Sequence, residues 1–371
     1  MSEVVVPDGW EVKRLGVCCD VLDSQRVPLN SQERLSRKGV YPYYGANGVQ
    51  GYIDDFIFEG ESVLLAEDGG YFSEYATRPI ANFVTGRYWV NNHAHILRAK
   101  SDILNRWIYY SLVHKNILKH INGGTRAKLN QSDLKEILVP LPPLPEQQKI
   151  ASILTSVDEV IEKTQSQINK LQDLKKGTMN ELLTKGIGHT EFKDSPVGKI
   201  PVGWEVKRLG DVFTLKTGST PSRSTPIYFE EKMVGVPWVK TLDLNDKGIY
   251  DTDEHITEIA LQQTSCKLLP INTVLVAMYG GWKQIGRTGV LKISAATNQA
   301  IVGLLLSDKV MADYCNYFLV GKRETWKKVA ASSRKDPNIT KDDVFNFQIS
   351  IPPLPEQQKI ASILSSMDSH I

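Results

Sequence analysis

Apolar and polar positions change their period several times along the chain, and they do so twice over. Short β-rich runs come first: SVLLA at 62–66, RYWVNNHAHIL at 87–97 and NTVLVAMY at 272–279, each close to a glycine pair. Such runs bounded by turn residues predict strands. A helical pattern follows in each half, around Ile103–Lys119 and around Val310–Val329, and then one more strand, ILVPLP in the first half and FQISIP in the second. From Glu146 to about Lys185 apolar positions recur with a 4–3 spacing, Ile150, Leu154, Val157, Ile161, Ile168 and Leu171, with Leu182 further on. That is a heptad seam, which needs a second helix to bury it. Thr164, Lys175 and Thr178 interrupt the seam, and Gly177 weakens its last third. Some forty residues at ~1.5 Å each make a rod of roughly 60 Å, longer than a core helix inside one domain requires.

The doubling is near-literal at the start of each half and literal at its end. PDGWEVKRLG at 7–16 returns as PVGWEVKRLG at 201–210, and PPLPEQQKIASIL at 142–154 returns letter for letter at 352–364. The middles diverge. SVLLAEDGG at 62–70 aligns with TVLVAMYGG at 273–281, Asn92-His93-Ala94 with Asn298-Gln299-Ala300, and LNQSDL at 129–134 with ITKDDV at 339–344. A fixed opening, a variable body and a fixed closing describe one fold used twice with different loops. The proline block ends a strand and sets Pro145 and Glu146 in the first turn of a helix. An SH3-type ligand is the competing account of the same prolines. Trp10 and Trp204 lie in near-identical strings, so they cannot read different partners and are expected to be anchors. The second copy of the helix runs only from Pro355 to Ile371, so the seam beyond about Ile161 is expected to pair with a neighbouring subunit or with another copy of this chain.

The expected architecture is α+β. It comprises two similar mixed α/β domains in pseudo-twofold arrangement, over 1–144 and 196–354. A coiled-coil spacer helix and linker joins them over 145–195, and a shortened second helix begins at 355–371. Hydrophobic content of 41% and charged content of 23% are those of a folded globular chain. No basic leader followed by a long apolar run opens the sequence, and no apolar stretch approaches membrane length, so a cytoplasmic protein is expected. Cys18, Cys19, Cys266 and Cys315 form no CxxC pair, which points to reduced thiols and away from zinc. His93 and His95 alternate along an expected strand and would share a face, with no third metal ligand nearby.

A net charge of only +2 means that a nucleic-acid binder of this composition must concentrate its cations. It does so late in each body. No acidic residue lies between Asp102 and Asp133, while Arg106, Lys115, Lys119, Arg126 and Lys128 do. In the second half Lys322, Arg323, Lys327, Lys328, Arg334, Lys335 and Lys341 face only Glu324 and Asp336. Within these tracts Gly123-Gly124-Thr125-Arg126 and Ser333-Arg334-Lys335 are donor-rich loops suited to phosphate or guanine, with a helix-end turn as the alternative. Gly70 with Tyr71, and Gly281 with Trp282, Lys283 and Gln284, form a second matched pair of loops. Tyr43, Tyr44, Asn47 and Gln50 make an aromatic–amide cluster, mirrored by Trp238 and Lys240, for which packing is the competing role.

Chemistry of its own is not expected. No glycine-rich cofactor loop with an Asn/Asp-Pro-Pro-aromatic motif is present, no GxxxxGK[ST], and Glu67-Asp68 alone is too little for a nuclease. The PxGWEVKRLG openings, the two LPPLPEQQKIASIL closings and LLTKGIGHTEFKDSPVGKIPVGWEV at 182–206 resemble the specificity subunits of type I restriction–modification systems. YPYYGANGVQGYID, GRYWVNNHAHIL, VPWVKTLDL and ATNQAIVGL look like varieties of their recognition domain. The resemblance implies a non-catalytic subunit whose two target-recognition domains each read half of a bipartite double-stranded DNA site. It implies docking of modification (adenine methyltransferase) subunits and of an ATP-driven restriction subunit. S-adenosylmethionine and ATP would then be bound by those partners and no cofactor by this chain. The recognition part of a fused restriction–methylation enzyme and a non-DNA interaction scaffold are the alternatives.

Overall fold

The computed structural model describes residues 6–123, 127–232, 234–330 and 337–368. Two compact units emerge, Met1–Thr164 and Gln165–Ile371. The division falls inside the long helix Leu144–Lys185, so each end of that helix belongs with the body it packs on. The sequence boundaries, which set the helix apart as a connector, differ in this respect.

In the first unit the opening strand Glu11–Arg14 pairs antiparallel with Leu138–Leu141, from Glu11 opposite Leu141 to Arg14 opposite Leu138. In the second, Glu205–Arg208 pairs with Gln348–Ile351 in the same sense, from Glu205 opposite Ile351 to Arg208 opposite Gln348. A helical turn follows each opening strand, and Leu15 N–H donates to Ile137 O at 2.8 Å just as Leu209 N–H donates to Phe347 O at 2.8 Å. The glycine after each leucine is required by close approach. A Cβ on Gly16 would lie 2.8 Å from the Lys135 side chain, and one on Gly210 1.9 Å from the Phe345 ring.

The identical closing string repeats its contacts as well. Trp10 Nε1 donates to Glu146 Oε2 at 3.1 Å, and Trp204 Nε1 to Glu356 Oε2 at 3.0 Å. Gln147 and Gln357 are buried, yet both ends of each amide are satisfied. Gln147 accepts from Leu104 N–H at 3.0 Å and donates to Pro142 O at 2.9 Å. Gln357 accepts from Met311 N–H at 2.8 Å and donates to Pro352 O at 2.8 Å. Leu104 and Met311 immediately precede the helices Asn105–Leu112 and Ala312–Gly321, so one amide ties the closing helix, the proline block and the body helix together.

Between opening and closing, the described residues of each unit form two sheets of four or five strands, and in the first unit Ile121–Asn122 also pairs with Lys128–Leu129. In the first unit one sheet runs in the order Cys19–Val21, Ala94–Ala99, Ser62–Ala66, Ala81–Val84, and the other in the order Gly48–Ile53, Lys38–Gly45, Arg87–Val90, Phe58–Glu59. The second unit has Leu215–Thr217, Ile301–Leu304, Val274–Ala277, Thr288–Leu291 and Gly248–Ile249 in one sheet, and Phe229–Glu230, His255–Ile256, Val236–Val239 and Ala296–Thr297 in the other. Leu15, Val63, Leu65, Leu97, Trp107 and Leu134 belong to one core, and Leu209, Val274, Val276, Leu304, Phe318 and Val344 to its counterpart. The run 87–97, read as a single strand, is two strands in different sheets, separated by a turn at 91–93.

The long helix is apolar where it meets each body. Ile150 packs on the first core, and Tyr110 Oη donates to Asp158 at 2.6 Å. Leu183 is buried in the second core with Met179 and Leu182 packed against it. The closing helix Leu354–Asp368 takes up the last third of the long one, antiparallel: Asp368 pairs with Lys175, and Glu356 accepts from Ile187 N–H at 2.9 Å. This corrects the expected pairing of the seam. The part covered within the chain is Lys175–Lys185, while Leu154, Val157, Ile161 and Leu171 of the seam, with Ile153, Val160 and Leu174 beside them, are exposed and Ile168 is half-buried.

Glu356 serves Trp204, Ile187 and His189, whereas Glu146 is exposed and holds Trp10. Hydrogen bonds to a charged group contribute ~1.5–3 kcal/mol. Glu356→Ala is therefore expected to lower the stability of the second unit by about 2–3 kcal/mol and Glu146→Ala that of the first by about 1 kcal/mol or less, read as urea midpoints. Equal costs would show that the two clasps are not graded as their burial suggests.

Candidate nucleic-acid interface

Four loops of the first unit are joined edge to edge by hydrogen bonds. Asn47, at the tip of the Lys38–Gly45/Gly48–Ile53 hairpin, donates through Nδ2 to Gly69 O at 2.9 Å. Asn91 Nδ2 donates to Gln50 Oε1 at 3.2 Å, and His93 Nδ1 lies 2.7 Å from Asp68 Oδ1. Asp68 bridges to Lys128, and Leu129 N–H donates to Glu67 O at 2.7 Å. The hairpin tip, the glycine-pair loop, the turn at 91–93 and the segment entering Lys128 thus share one edge.

The second unit repeats this edge. Val239 O accepts from Asn298 N–H at 3.0 Å as Tyr44 O accepts from Asn91 N–H at 3.0 Å. Ala300 O accepts from Met278 N–H at 2.8 Å as His93 O accepts from Glu67 N–H at 2.8 Å. Ile339 N–H donates to Met278 O at 3.0 Å, matching Leu129 and Glu67. These pairs put Asn91 opposite Asn298, one residue away from the alignment of Asn92-His93-Ala94 with Asn298-Gln299-Ala300. The sheet register agrees: Ala66 faces Ala94, and Ala277 faces Ile301.

Beneath the first edge lies an ionic cluster that the sequence did not announce. His95, 1% exposed, has Nδ1 2.6 Å from Asp23 Oδ2 and Nε2 2.8 Å from Leu129 O. Arg26 donates to Glu67 Oε2 and to Ala94 O, each at 2.8 Å, and lies 3.7 Å from Asp23. Asp23, Glu67 and His95 could in principle hold a cation, since their ligand atoms lie within 4.8 Å of one another, but the guanidinium of Arg26 already sits against both carboxylates. Burial pushes the Asp23 carboxyl up. The hydrogen bond and charge of His95, the Ile96 N–H and Arg26 outweigh burial and hold it below its ordinary value of 3.8. These residues come from segments up to 72 positions apart, so only the fold brings them together. His93 lies in the turn, not on the strand with His95, which corrects the shared-face expectation.

The individual candidates fare unevenly. Tyr43 is 1% exposed, with its hydroxyl on the Leu29 backbone, and Trp238 is equally buried. Both are packing residues, and Tyr43 cannot reach a base. Tyr44 is half-buried edge-on to Tyr88, and burial raises its hydroxyl pKa. Lys240 is engaged by Glu254, which Arg223 also holds at 2.7 Å, so it offers no free cation. Lys128 lies 3.2 Å from Glu67, and Lys327 2.7 Å from Glu324. Lys115 is half-buried, and desolvation lowers its pKa. Arg106 covers the Phe83 ring at 3.7 Å, and Arg323 holds Asp246 and the Gly286 carbonyl. Much of the basic tract therefore serves the fold.

Lys119, Lys283, Lys328 and Trp282 are exposed, as is Gly123, in the left-handed region at φ +105°. Gly70 is at a close approach, where a Cβ would meet that of Ala66 at 2.5 Å, and Tyr71 stacks under Arg78 at 4.1 Å. Gln284 N–H returns to Gly281 O at 3.0 Å, closing the loop that presents Trp282. Gly124, Thr125, Arg126, Ser333, Arg334 and Lys335 lie outside the described residues. Cys18, Cys19, Cys266 and Cys315 are buried, and burial pushes the Cys19 thiol up to about 12. Among the described residues no helix is long and apolar enough to cross a membrane.

A duplicated α+β frame with loops gathered at one edge of each copy defines a two-domain recognition protein. The chain belongs to the type I restriction modification DNA specificity domain family, whose description matches residues 7–173 and again 201–371. It is 27% identical over 396 residues to the type I restriction enzyme MjaVIII specificity subunit of Methanocaldococcus jannaschii, a match covering 100% of this chain and 89% of that one. A Haemophilus influenzae protein carrying the name of a type I restriction enzyme specificity subunit is 37% identical over 152 residues; there the match spans 40% of this chain and only 38% of that protein's length. The S subunit of a type I restriction–modification system from M. genitalium shares the fold with a TM-score of 0.65 at 15% identity, over 99% of this chain and 92% of that one.

Asp23 links stability to pH. Its folded carboxyl titrates below the unfolded one, so its contribution is present above about pH 4 and is lost as pH falls through the folded value. Asp23→Asn is expected to destabilise the first unit by about 3 kcal/mol or more at pH 7 and to flatten its loss of stability below pH 4, measured by denaturation across pH. An unchanged acid limb would show that the cluster does not carry this linkage.

Proposed function

We propose that this specificity subunit directs a separate methyltransferase to a two-part duplex DNA site, each unit reading one half through the loop edge described above. The observation that carries the reading is the pairing of two near-identical frames with different loops. A frame kept nearly constant in sequence holds geometry, and loops that differ on it suit two different short sequences. Exposed Lys119, Lys283 and Lys328 supply phosphate contacts, which fix position, while amide and aromatic side chains at the edges face bases.

The exposed apolar stripe of the long helix, from Ile153 to Leu174, is where modification subunits dock, or where another copy of the chain pairs. A restriction subunit joins the same complex. S-adenosylmethionine and ATP are bound by those partners. The chain itself carries out no reaction and works in the cytoplasm, where chromosomal DNA is accessible.

The test is duplex binding by the chain assembled with its modification subunits, together with a genome-wide map of adenine methylation in cells with and without the chain. Binding should weaken steeply with salt, each neutralised phosphate adding about −0.9 to the log–log slope. The lost methylation should define one site made of two short sequences at a fixed gap. Salt-independent binding, or a single uninterrupted site, would contradict the proposal.

A further inference from the structure

We propose that Asn92 and Gln299 are specificity-determining residues, one per domain, each reading an adenine in its half-site. The inference rests on the DNA-reading function just proposed and deepens it to a residue position that the sequence alignment hides by one place.

The two side chains stand at the apex of the same turn. In the first unit Asn91 N–H donates to Tyr44 O at 3.0 Å, and Asn91 Oδ1 accepts from His93 N–H at 2.8 Å. His93 O in turn accepts from Glu67 N–H at 2.8 Å. In the second unit Asn298 N–H donates to Val239 O at 3.0 Å, and Asn298 Oδ1 accepts from Ala300 N–H at 3.1 Å. Ala300 O accepts from Met278 N–H at 2.8 Å. Each apex residue is thus clamped on both sides by backbone bonds to two different sheets, while its own side chain is exposed. A reading group held on strands is placed more accurately than one on a free loop.

The chemistry at the apex is an amide in both units. An exposed amide adds nothing to long-range attraction for phosphate, but its paired donor and acceptor match N7 and N6 of adenine in the major groove. The two differ by one methylene on turns with the same backbone bonding, which alters the reach of the amide and not the base it matches. The neighbours suit the role. In the first unit His93, next to the apex, reaches Asp68 of the glycine-pair loop, and Asn91 reaches Gln50 of the hairpin. In the second, Thr220 Oγ1 donates to Gln299 Oε1. That contact fixes the amide and leaves Nε2 to donate outward. Asn92 makes no hydrogen bond of its own among the described residues.

The experiment measures discrimination at each base pair of the site by competition binding of duplexes to the chain assembled with its modification subunits. Asn92→Ala should relax the preference for A·T at one position of one half-site, roughly ten- to hundredfold. The other half-site and the salt slope should stay as in the wild type. Gln299→Ala should do the same in the opposite half. Asn92→Asp, nearly isosteric, loses the donor that faces adenine N7 and should shift that position towards C·G, whose N4 amino group a carboxylate accepts; this arm does not depend on tolerance of the truncation. Unchanged discrimination in all three variants, equal losses in both half-sites, or a salt slope reduced by one phosphate would each overturn the assignment. A wild-type complex that shows no two-part preference would instead sink the underlying reading, so the two failures are distinguishable.

Discussion

Closure of each body by its first and last strands is the constraint on which the remainder rests. Glu11–Arg14 on Leu138–Leu141, and Glu205–Arg208 on Gln348–Ile351, bring together segments more than a hundred residues apart. The Trp10–Glu146 and Trp204–Glu356 bonds lock the start of the closing helix onto the opening strand. Buried Gln147 and Gln357 fasten the same helix to the body. Once the ends are held in this way, the loops between can change length and composition without loss of the frame. The same lock explains why the closing string repeats to the letter and the opening string in all but one residue, while the bodies diverge.

Electrostatics follows from that division. With a net charge of +2, attraction for an anionic partner depends on cations that are not already paired. Glu254, Glu67, Glu324 and Asp246 engage Lys240, Lys128, Lys327 and Arg323, leaving a sparse set of free lysines around an edge rich in amides. Such an edge gains little from bulk charge and more from directional hydrogen bonds, which favours reading over indiscriminate binding.

The duplication, the strand Ser62–Ala66, the glycine-pair loops and the long helix were all legible in the sequence, because repeated strings and a heptad spacing, even an interrupted one, leave few other readings. What was not legible shares one cause: dependence on partners distant in the chain. Packing and base contact both stay open for Tyr43 until Leu29 and Trp89 close over it. Lys240 reads as a free cation until Glu254 arrives. The run 87–97 looks continuous because both its strands are apolar, and the turn between them is marked only by Asn91-Asn92. The heptad seam foretold a partner helix but not which third of it the closing helix would cover. The Asp23–Arg26–Glu67–His95 cluster left no local trace.

Exchange of a body between the two frames tests the central claim most directly. The equivalent bonds Leu15–Ile137 and Leu209–Phe347 define the junctions, so residues 16–136 can replace 210–346. If closure is independent of the loops and each body reads its own half-site, the hybrid should fold and, with its modification subunits, direct methylation to a site built from the first half-sequence twice. A folded hybrid that still required the original second half-sequence would contradict the account, as would one that recognised no defined site.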